Sequence, residues 1–155
     1  SMLATRVPGS AFLDLFAGSG AVGLEAWSRG AQSVCWVEEQ PAVARLLEAN
    51  VLTLCGTPGH IVRNDAFHWL KRPSHEAPFD LVYADPPYGD ADTDDRIEEV
   101  MTLLADSGRI AAGGLFIAEQ RTGRPMPSAR GWVRLKDRRY GHTRITLFTR
   151  LPGPV

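Results

Sequence analysis

The fold class is decided by residues 12–23, which read FLDLFAGSGAVG. The first five residues are almost all apolar, as in a short strand that is covered on both faces. Gly18, Gly20 and Gly23 then match the spacing G-x-G-x-x-G, and Glu38 follows Gly18 by twenty residues. Glycines at this spacing let the backbone turn sharply beside a ligand, and an acid on the next strand can accept hydrogen bonds from ribose hydroxyls. The stretch therefore predicts a βαβ unit that binds a nucleotide-type ligand.

The first 120 residues continue this alternation. Short apolar runs predict parallel strands at 12–16, 34–37, 61–62, 81–84 and 115–118, and the intervening segments predict helices at 21–29, 41–54, 66–71 and 93–106. Two more strands, 132–136 and 143–149, are joined through residues 138–141. They are too close in sequence for a crossover helix, so they must pair antiparallel. We expect an α/β fold with a doubly wound, mostly parallel sheet that ends in an antiparallel C-terminal hairpin.

Length and composition are those of one globular domain. The chain has 155 residues, 44% of them hydrophobic, and its two cysteines belong to no metal-binding or redox motif. These figures exclude intrinsic disorder and a disulfide scaffold, and no apolar run is long enough to span a membrane. We expect a cloning remnant and connector at 1–10, the folded domain at 11–150 and a tail at 151–155. The expected protein is a cytoplasmic, metal-free monomer.

The net charge of -1 conceals an uneven distribution. Residues 121–150 carry nine basic side chains and one acid, a charge of +8, whereas the other residues carry eight basic and seventeen acidic side chains, a charge of -9. A segment this basic indicates an anionic partner, most simply nucleic acid, and a solvated strand face explains the charge equally well. The candidate RNA-binding residues are Arg134, Lys136, Arg138, Arg139 and Arg144.

Asp14 discriminates between the cofactors that a glycine loop can hold. It stands four residues before Gly18, where its negative charge would repel a pyrophosphate. A ligand with positive charge and no phosphate suits this position better. S-adenosylmethionine, which carries a sulfonium and an ammonium group, is such a ligand. The pattern D-x-F-x-G-x-G, which includes Phe16, resembles motif I of class I methyltransferases.

A second motif, Asp85-Pro86-Pro87-Tyr88, follows the fourth predicted strand. In an open α/β sheet the carboxyl ends of the central strands face the ligand crevice, so this motif should lie beside the glycine loop. Prolines fix the backbone and remove N–H donors, which leaves the Asp85 carboxylate and carbonyl oxygens as acceptors for an exocyclic amine. Tyr88 offers a ring on which a planar base can stack. The motif predicts an amine-binding site in which orientation and electrostatics promote the reaction.

Asn64-Asp65-Ala66 follows the third predicted strand. Asp65 can accept a hydrogen bond from an adenine amine, with the Ala66 backbone nearby. It can equally be the N-cap of the next helix, and one side chain can serve both purposes.

Five segments together resemble the RsmD-type family, bacterial methyltransferases that modify the N2 amine of a guanine in small-subunit (16S) ribosomal RNA. They are FLDLFAGSGAVGLEA at 12–26, VE at 37–38, NDA at 64–66, DPPY at 85–88 and RRYGHTRI at 138–145. The resemblance implies a Rossmann-like class I methyltransferase fold. It further implies that S-adenosylmethionine is held by Gly18, Ser19, Gly20, Glu38, Asp65 and Ala66, and the guanine by Asp85, Pro86, Pro87 and Tyr88.

The resemblance also implies a partner, small-subunit ribosomal RNA or a 30S assembly particle. Members of the family usually begin with a basic β-hairpin and a helix that bears an R-P-T-type motif, and nothing in these 155 residues corresponds to them.

Other functions fit parts of the pattern. Related tetrapeptides serve methyltransferases that act on DNA adenine or cytosine, or on protein glutamine. The glycine loop with Glu38 also fits a dinucleotide-binding oxidoreductase or a non-catalytic nucleotide-binding module.

Overall fold

The structure, a computed structural model, describes residues 2–87 and 96–153. Its helices are α1 Met2–Arg6, α2 Ala21–Ser28, α3 Pro41–Cys55, α4 Ala66–Lys71 and α5 Ile97–Ser107. Its strands are β1 Ala11–Leu15, β2 Ser33–Glu38, β3 His60–Arg63, β4 Phe79–Ala84, β5 Ile110–Arg121, β6 Trp132–Tyr140 and β7 Thr143–Arg150. Every predicted strand is present, and so is every predicted helix within these ranges.

The strands form one sheet in the order β3-β2-β1-β4-β5-β7-β6. The first five strands are mutually parallel, and β7 pairs antiparallel with both β5 and β6. The order reverses beside β1, because β2 lies on one side of β1 and β4 on the other. The predicted doubly wound sheet with an antiparallel C-terminal hairpin is therefore confirmed.

Two apolar clusters cover the two faces of the sheet. Helices α4 and α5 pack on the first face, where Phe67 and Leu104 meet Phe116 and Phe148 of the sheet. Helices α2 and α3 pack on the second face, where Leu47 meets Trp36. Because both faces are covered, the central strands are apolar almost throughout. Polar side chains can therefore lie together beyond the carboxyl ends of these strands.

The connector expected before residue 11 is partly helical. Residues Met2–Arg6 form α1, Val7 packs in the second cluster, and the buried Ser10 hydroxyl donates to the Val7 carbonyl. The prediction failed here because the Pro-Gly pair that follows the helix was taken to describe the whole segment. The described residues from Met2 onward belong to the folded unit.

The C-terminal hairpin also differs in detail from the prediction. Strand β6 continues to Tyr140, and its last pair joins Tyr140 to Thr143. Arg138 and Arg139 therefore lie in the strand and not in the loop, so their side chains point to opposite faces of the sheet. The turn is confined to Gly141, whose φ is +59°, and His142.

Candidate active site

Three strand ends meet at one edge of the sheet. Leu15, the last residue of β1, pairs with Val37 of β2 on one side and with Ala84, the last residue of β4, on the other. The glycine loop, Glu38 and Asp85 each follow within a few residues of this row. The two motifs predicted from sequence therefore lie side by side, as the rule for open α/β sheets requires.

The three glycines of the loop serve different purposes. A Cβ on Gly20 would lie 2.3 Å from Leu47 Cδ1, and a Cβ on Gly23 would lie 2.3 Å from Trp36 Nε1, so both glycines allow α2 to approach its neighbours. Gly18 has a φ of +57°, and a Cβ there would meet nothing within 4 Å. Gly18 is thus the glycine whose missing side chain leaves open space beside the loop.

Trp36 fixes the start of α2. Its indole N–H donates to the Gly20 carbonyl at 3.2 Å, and its ring is buried against Gly23. Sequence analysis did not single out Trp36, because a buried tryptophan in an apolar strand looks like ordinary core. Its position one strand from the glycine loop became clear only from the register in which Asp14 pairs with Trp36.

Asp14 lies behind the loop and not on its surface. Its side chain is 1% exposed, and Oδ2 accepts a hydrogen bond from the Gly23 N–H at 2.9 Å. Burial raises the pKa of Asp14 from 3.8 to about 7, and the nearby Asp85 and Glu38 carboxylates add to the rise. Asp14 therefore has no exposed surface for a direct contact, and its hydrogen bond to the Gly23 N–H ties β1 to α2.

Glu38 closes the loop from the side of β2. Its Oε1 accepts from the Gly18 N–H at 2.9 Å, and its Oε2 accepts from the Gln40 N–H at 2.8 Å. Each carboxylate oxygen can accept a second hydrogen bond. The carboxylate is therefore held in place and retains acceptor capacity beside the open space at Gly18. Ser19 lies in the same turn, and its carbonyl accepts from Asn50 of α3.

Asp65 and Phe16 are tied to α4. The Asp65 carboxylate caps the helix by accepting from the Phe67 N–H at 3.0 Å, which confirms the N-cap role. The Phe16 ring packs on the Phe67 ring with centroids 5.3 Å apart. Phe16 has a φ of +55°, an unusual backbone conformation for a residue with a side chain, which starts the turn of the loop. Ala66 is buried in the first turn of α4. A contact of any of these residues with a cofactor stays a prediction.

The amine-binding motif follows β4 directly. Asp85 is half-buried, Pro86 is buried and Pro87 is exposed. Burial raises the pKa of the Asp85 carboxyl above its ordinary value. Tyr88, the fourth residue of the predicted motif, lies outside the described residues.

The basic residues divide between the two faces of β6. Lys136 and Arg138 pair with Leu147 and Ile145, which belong to the second face, whereas Arg134 pairs with Phe148 of the first face. Arg139 shares the face of Arg134. The side chains of Arg134, Lys136, Arg138 and Arg139 are exposed.

Arg144 has to be removed from the predicted RNA-binding set. It is 4% exposed, and its guanidinium donates to Gln120 Oε1 at 2.9 Å and to the Pro125 carbonyl at 3.1 Å. The charge count could not show this, because Arg144 is covered through contacts with residues distant in sequence, Gln120 and Pro125. Its role is to anchor the segment between β5 and β6.

The tip of the basic hairpin lies at the same edge of the sheet as Asp85. Thr143 pairs with Arg121, three residues beyond Ala118, and Ala118 pairs with Ala84. At about 3.3 Å per residue and about 4.8 Å per strand, the tip stands about 10 Å above and about 14 Å to the side of the end of β4.

One pair at this edge was missed by sequence analysis. The Tyr83 hydroxyl on β4 donates to Oε2 of Glu119 on β5, and burial raises the pKa of Glu119 above its ordinary value. A single acid after the apolar run 115–118 was the available signal. Glu119 belongs to no sequence motif, so its contact with Tyr83 becomes visible only once β4 and β5 are paired.

Within residues 2–87 and 96–153, no helix is both long and apolar enough to cross a bilayer. In that part of the chain, no three His, Cys, Asp or Glu side chains are grouped as metal ligands would be.

Comparison with known proteins places this site in a family. The family described as Conserved hypothetical protein 95 matches residues 1–149. Ribosomal RNA small subunit methyltransferase D of Haemophilus influenzae is 30% identical over 138 residues, which cover 88% of this chain and 69% of that protein. The protein of the same name from Escherichia coli K12 is 32% identical over 139 residues, which cover 89% of this chain and 67% of that protein.

A solved structure supports the same family assignment. A structure from Escherichia coli that is named a methyltransferase, yhhF, superposes with a TM-score of 0.87 at 30% identity, over 98% of this chain and 83% of that one. The predicted Rossmann-like methyltransferase fold is therefore confirmed. With its glycine loop, its Asp85-Pro86-Pro87 turn and its basic hairpin on one edge of such a sheet, the chain belongs to the Conserved hypothetical protein 95 family, the RsmD-type methyltransferases.

Proposed function

We propose that this protein transfers a methyl group from S-adenosylmethionine to the exocyclic N2 amine of a guanine in small-subunit ribosomal RNA. The observation that carries the proposal is the adjacency of Asp85-Pro86-Pro87 to the glycine loop, across the paired ends of β1 and β4. The relatives named above are small-subunit ribosomal RNA methyltransferases, which supports the substrate class.

The residues present fit the cofactor. Glu38 holds oriented acceptors for ribose hydroxyls, Gly18 leaves open space at the loop, and Asp14 places a buried negative charge behind it. No described basic side chain forms an ion pair with Asp14, so a cationic ligand would find its charge uncompensated. The remaining candidates for contact are Phe16, Ser19, Gly20, Asp65 and Ala66. When bound, S-adenosylmethionine supplies an electrophilic methyl group.

Asp85 orients the amine and receives its proton. Pro86 and Pro87 carry no N–H donor, so their part of the turn offers only carbonyl oxygens, and an amine would direct its N–H groups toward the Asp85 carboxylate and the Pro86 carbonyl. The nitrogen lone pair would then be left free of the protein acceptors and available for the methyl group that S-adenosylmethionine supplies when bound. The nitrogen becomes more acidic as it forms the new N–C bond, and the raised pKa of Asp85 suits the carboxylate to take the released proton.

The exposed basic residues of β6 would hold the RNA backbone. Arg134, Lys136, Arg138 and Arg139 form two rows on opposite faces of an edge strand, and the strand ends at the edge that carries Asp85. Phosphate contacts of this kind position a nucleic acid without reading its sequence. They would guide the RNA so that one extruded guanine reaches the end of β4.

The finer features of this proposal follow from the same placement. We take the substrate to be small-subunit RNA, free or in a 30S assembly particle, and the enzyme to be a metal-free monomer in the cytoplasm. Residues 11–150 would contain the catalytic domain, with Tyr88 stacking on the base.

Methyl transfer to small ribosomal subunits from cells that lack the modification tests the proposal. The wild-type protein should incorporate labelled methyl groups into the RNA, and nuclease digestion should yield N2-methylguanosine. Asp85→Ala should lower the rate by at least about a hundredfold, because orientation and proton transfer are both lost. Asp106→Ala, an exposed acid near the end of α5, serves as the matched control and should keep the wild-type rate. Label in DNA or protein and none in RNA would contradict the proposal.

A further inference from the structure

Glu119 stands level with Asp85 on the neighbouring strand. The last pair between β4 and β5 joins Ala84 to Ala118, so Asp85 and Glu119 are the next residues along the two chains. Adjacent strands lie about 4.8 Å apart, so each residue follows the end of the ladder at about one strand spacing from the other. Glu119 points to the second face of the sheet, because Leu115 and Ile117 of the same strand pack there.

The surroundings of Glu119 hold it in place without neutralising it. The Tyr83 hydroxyl donates to Oε2, and among residues 2–87 and 96–153 no basic side chain forms an ion pair with Glu119. Glu119 is only partly exposed. A partly buried carboxylate without a cation costs stability unless donors reach it, so a function that supplies donors explains its presence better than packing does.

A guanine supplies the donors that these two carboxylates lack. Its Watson–Crick edge carries the N1–H and the 2-amine next to each other, so two acceptors set side by side can bind both. Adenine and cytosine carry a ring nitrogen that is an acceptor at the corresponding place. That nitrogen would face the negative charge of a carboxylate.

We propose that Glu119 is a specificity-determining residue that selects guanine by accepting its N1–H while Asp85 accepts from the 2-amine. Tyr83 is then a positioning residue, because its hydroxyl fixes one carboxylate oxygen and leaves the other for the base. The inference rests on the proposed function, since it takes the substrate of the Asp85 site to be a guanine. A site built around a hydrogen bond rejects analogues that lack the partner group far better than an apolar pocket rejects a change in size.

Nucleoside competition separates the N1–H contact from the amine contact. Guanosine has both groups, whereas 2-aminopurine riboside keeps the 2-amine but has an acceptor at N1. Each nucleoside is added to methyl transfer on small subunits from cells lacking the modification, and binding of 2-aminopurine riboside is also followed by its fluorescence with S-adenosylhomocysteine present. Wild-type protein should prefer guanosine by about tenfold or more, the size expected for one hydrogen bond to a charged group.

Glu119→Gln is the decisive variant. The side chain keeps its shape and can still accept from Tyr83, but its amide can donate to N1 of 2-aminopurine, so the preference for guanosine should fall to about threefold or less. Glu76→Gln makes the same change at an exposed position before β4, at the opposite edge of the sheet, and should keep the wild-type preference. Tyr83→Phe should raise KM for small subunits and leave kcat near its original value, because Glu119 loses its orientation but not its charge.

The outcomes are distinct. An unchanged preference for guanosine in Glu119→Gln, with wild-type transfer intact, overturns the role of Glu119 and leaves the proposed function standing. The role of Glu119 is also overturned if Glu119→Gln binds S-adenosylhomocysteine more weakly but keeps the wild-type preference for guanosine. Glu119 would then serve the cofactor. Absence of methyl transfer by the wild-type protein overturns the proposed function itself. In that case, the binding of 2-aminopurine riboside is still followed by its fluorescence. If guanosine competes no better than 2-aminopurine riboside itself binds, the inference about Glu119 is overturned too.

Discussion

Replacing Asp14 with Asn should make the protein more stable and its cofactor site weaker. The Asp14 side chain is 1% exposed and has one hydrogen-bond donor, the Gly23 N–H. An asparagine oxygen can accept the same hydrogen bond, so the geometry of the loop is kept while a neutral amide replaces the charged carboxylate. The wild-type protein therefore bears the cost of a buried negative charge that the variant avoids.

The size of this effect follows from the pKa. The folded protein raises the pKa of Asp14 from 3.8 to about 7, and each unit is worth about 1.4 kcal/mol. Between these values the folded state holds a proton that the unfolded state has released, so wild-type stability falls as the pH rises and levels off above about pH 7. The free energy of unfolding of Asp14→Asn should therefore exceed that of wild type by about 4 kcal/mol at about pH 8, and by about 2 kcal/mol at about pH 5.5.

Urea unfolding of both proteins at the two pH values measures the difference directly. Because groups remote from Asp14 titrate identically in the two proteins, the change in their difference between the pH values reports Asp14 and the carboxylates that interact with it. A stability difference that is the same at both pH values would refute the reasoning. Asp14 would then carry the same number of protons in the folded state as in the unfolded state across this pH range. Calorimetry should also show weaker binding of S-adenosylhomocysteine to Asp14→Asn, because the ammonium group loses its counter-charge.

Four more substitutions test the roles of individual residues in the loop and the hairpin. Gly23→Ala places a Cβ 2.3 Å from Trp36 Nε1, so urea unfolding should show a loss of about 1–3 kcal/mol. Gly18→Ala meets open space and costs about 1–2 kcal/mol for its left-handed backbone, and calorimetry should show a fall in S-adenosylhomocysteine affinity as its main effect. Arg144→Ala should lower the melting temperature by removing about 1–3 kcal/mol of buried hydrogen bonding. Arg139→Ala should leave the melting temperature unchanged and reduce the salt dependence of RNA binding by about one unit of log–log slope, and the reverse pattern would contradict the assignment of these two arginines.

Much of the fold and of the cofactor site could be predicted because the signals are local. An apolar run of five residues and a helix that begins after Gly20 are properties of neighbouring residues, and so is the rigid backbone of Pro86 and Pro87. The rule that ligands bind at the carboxyl ends of parallel strands then brought the two motifs together without coordinates. Helix α1 was not predicted, because a helix of five residues followed by one buried residue, Val7, is too short to show a helical period.

The sequence by itself determined the alternation of strands and helices, the class of ligand suggested by the glycine loop, and the position of the Asp85-Pro86-Pro87-Tyr88 motif after β4. Only the tertiary structure decided which of two arginines in β6 and β7 is buried and which is exposed, and that the Tyr83 hydroxyl meets the Glu119 carboxylate. The physical reason is that local periodicity tells which residues form a strand, whereas the partner of each strand and its register come from packing of distant segments. A side chain's neighbours, and with them its charge and its chemistry, are set by that register.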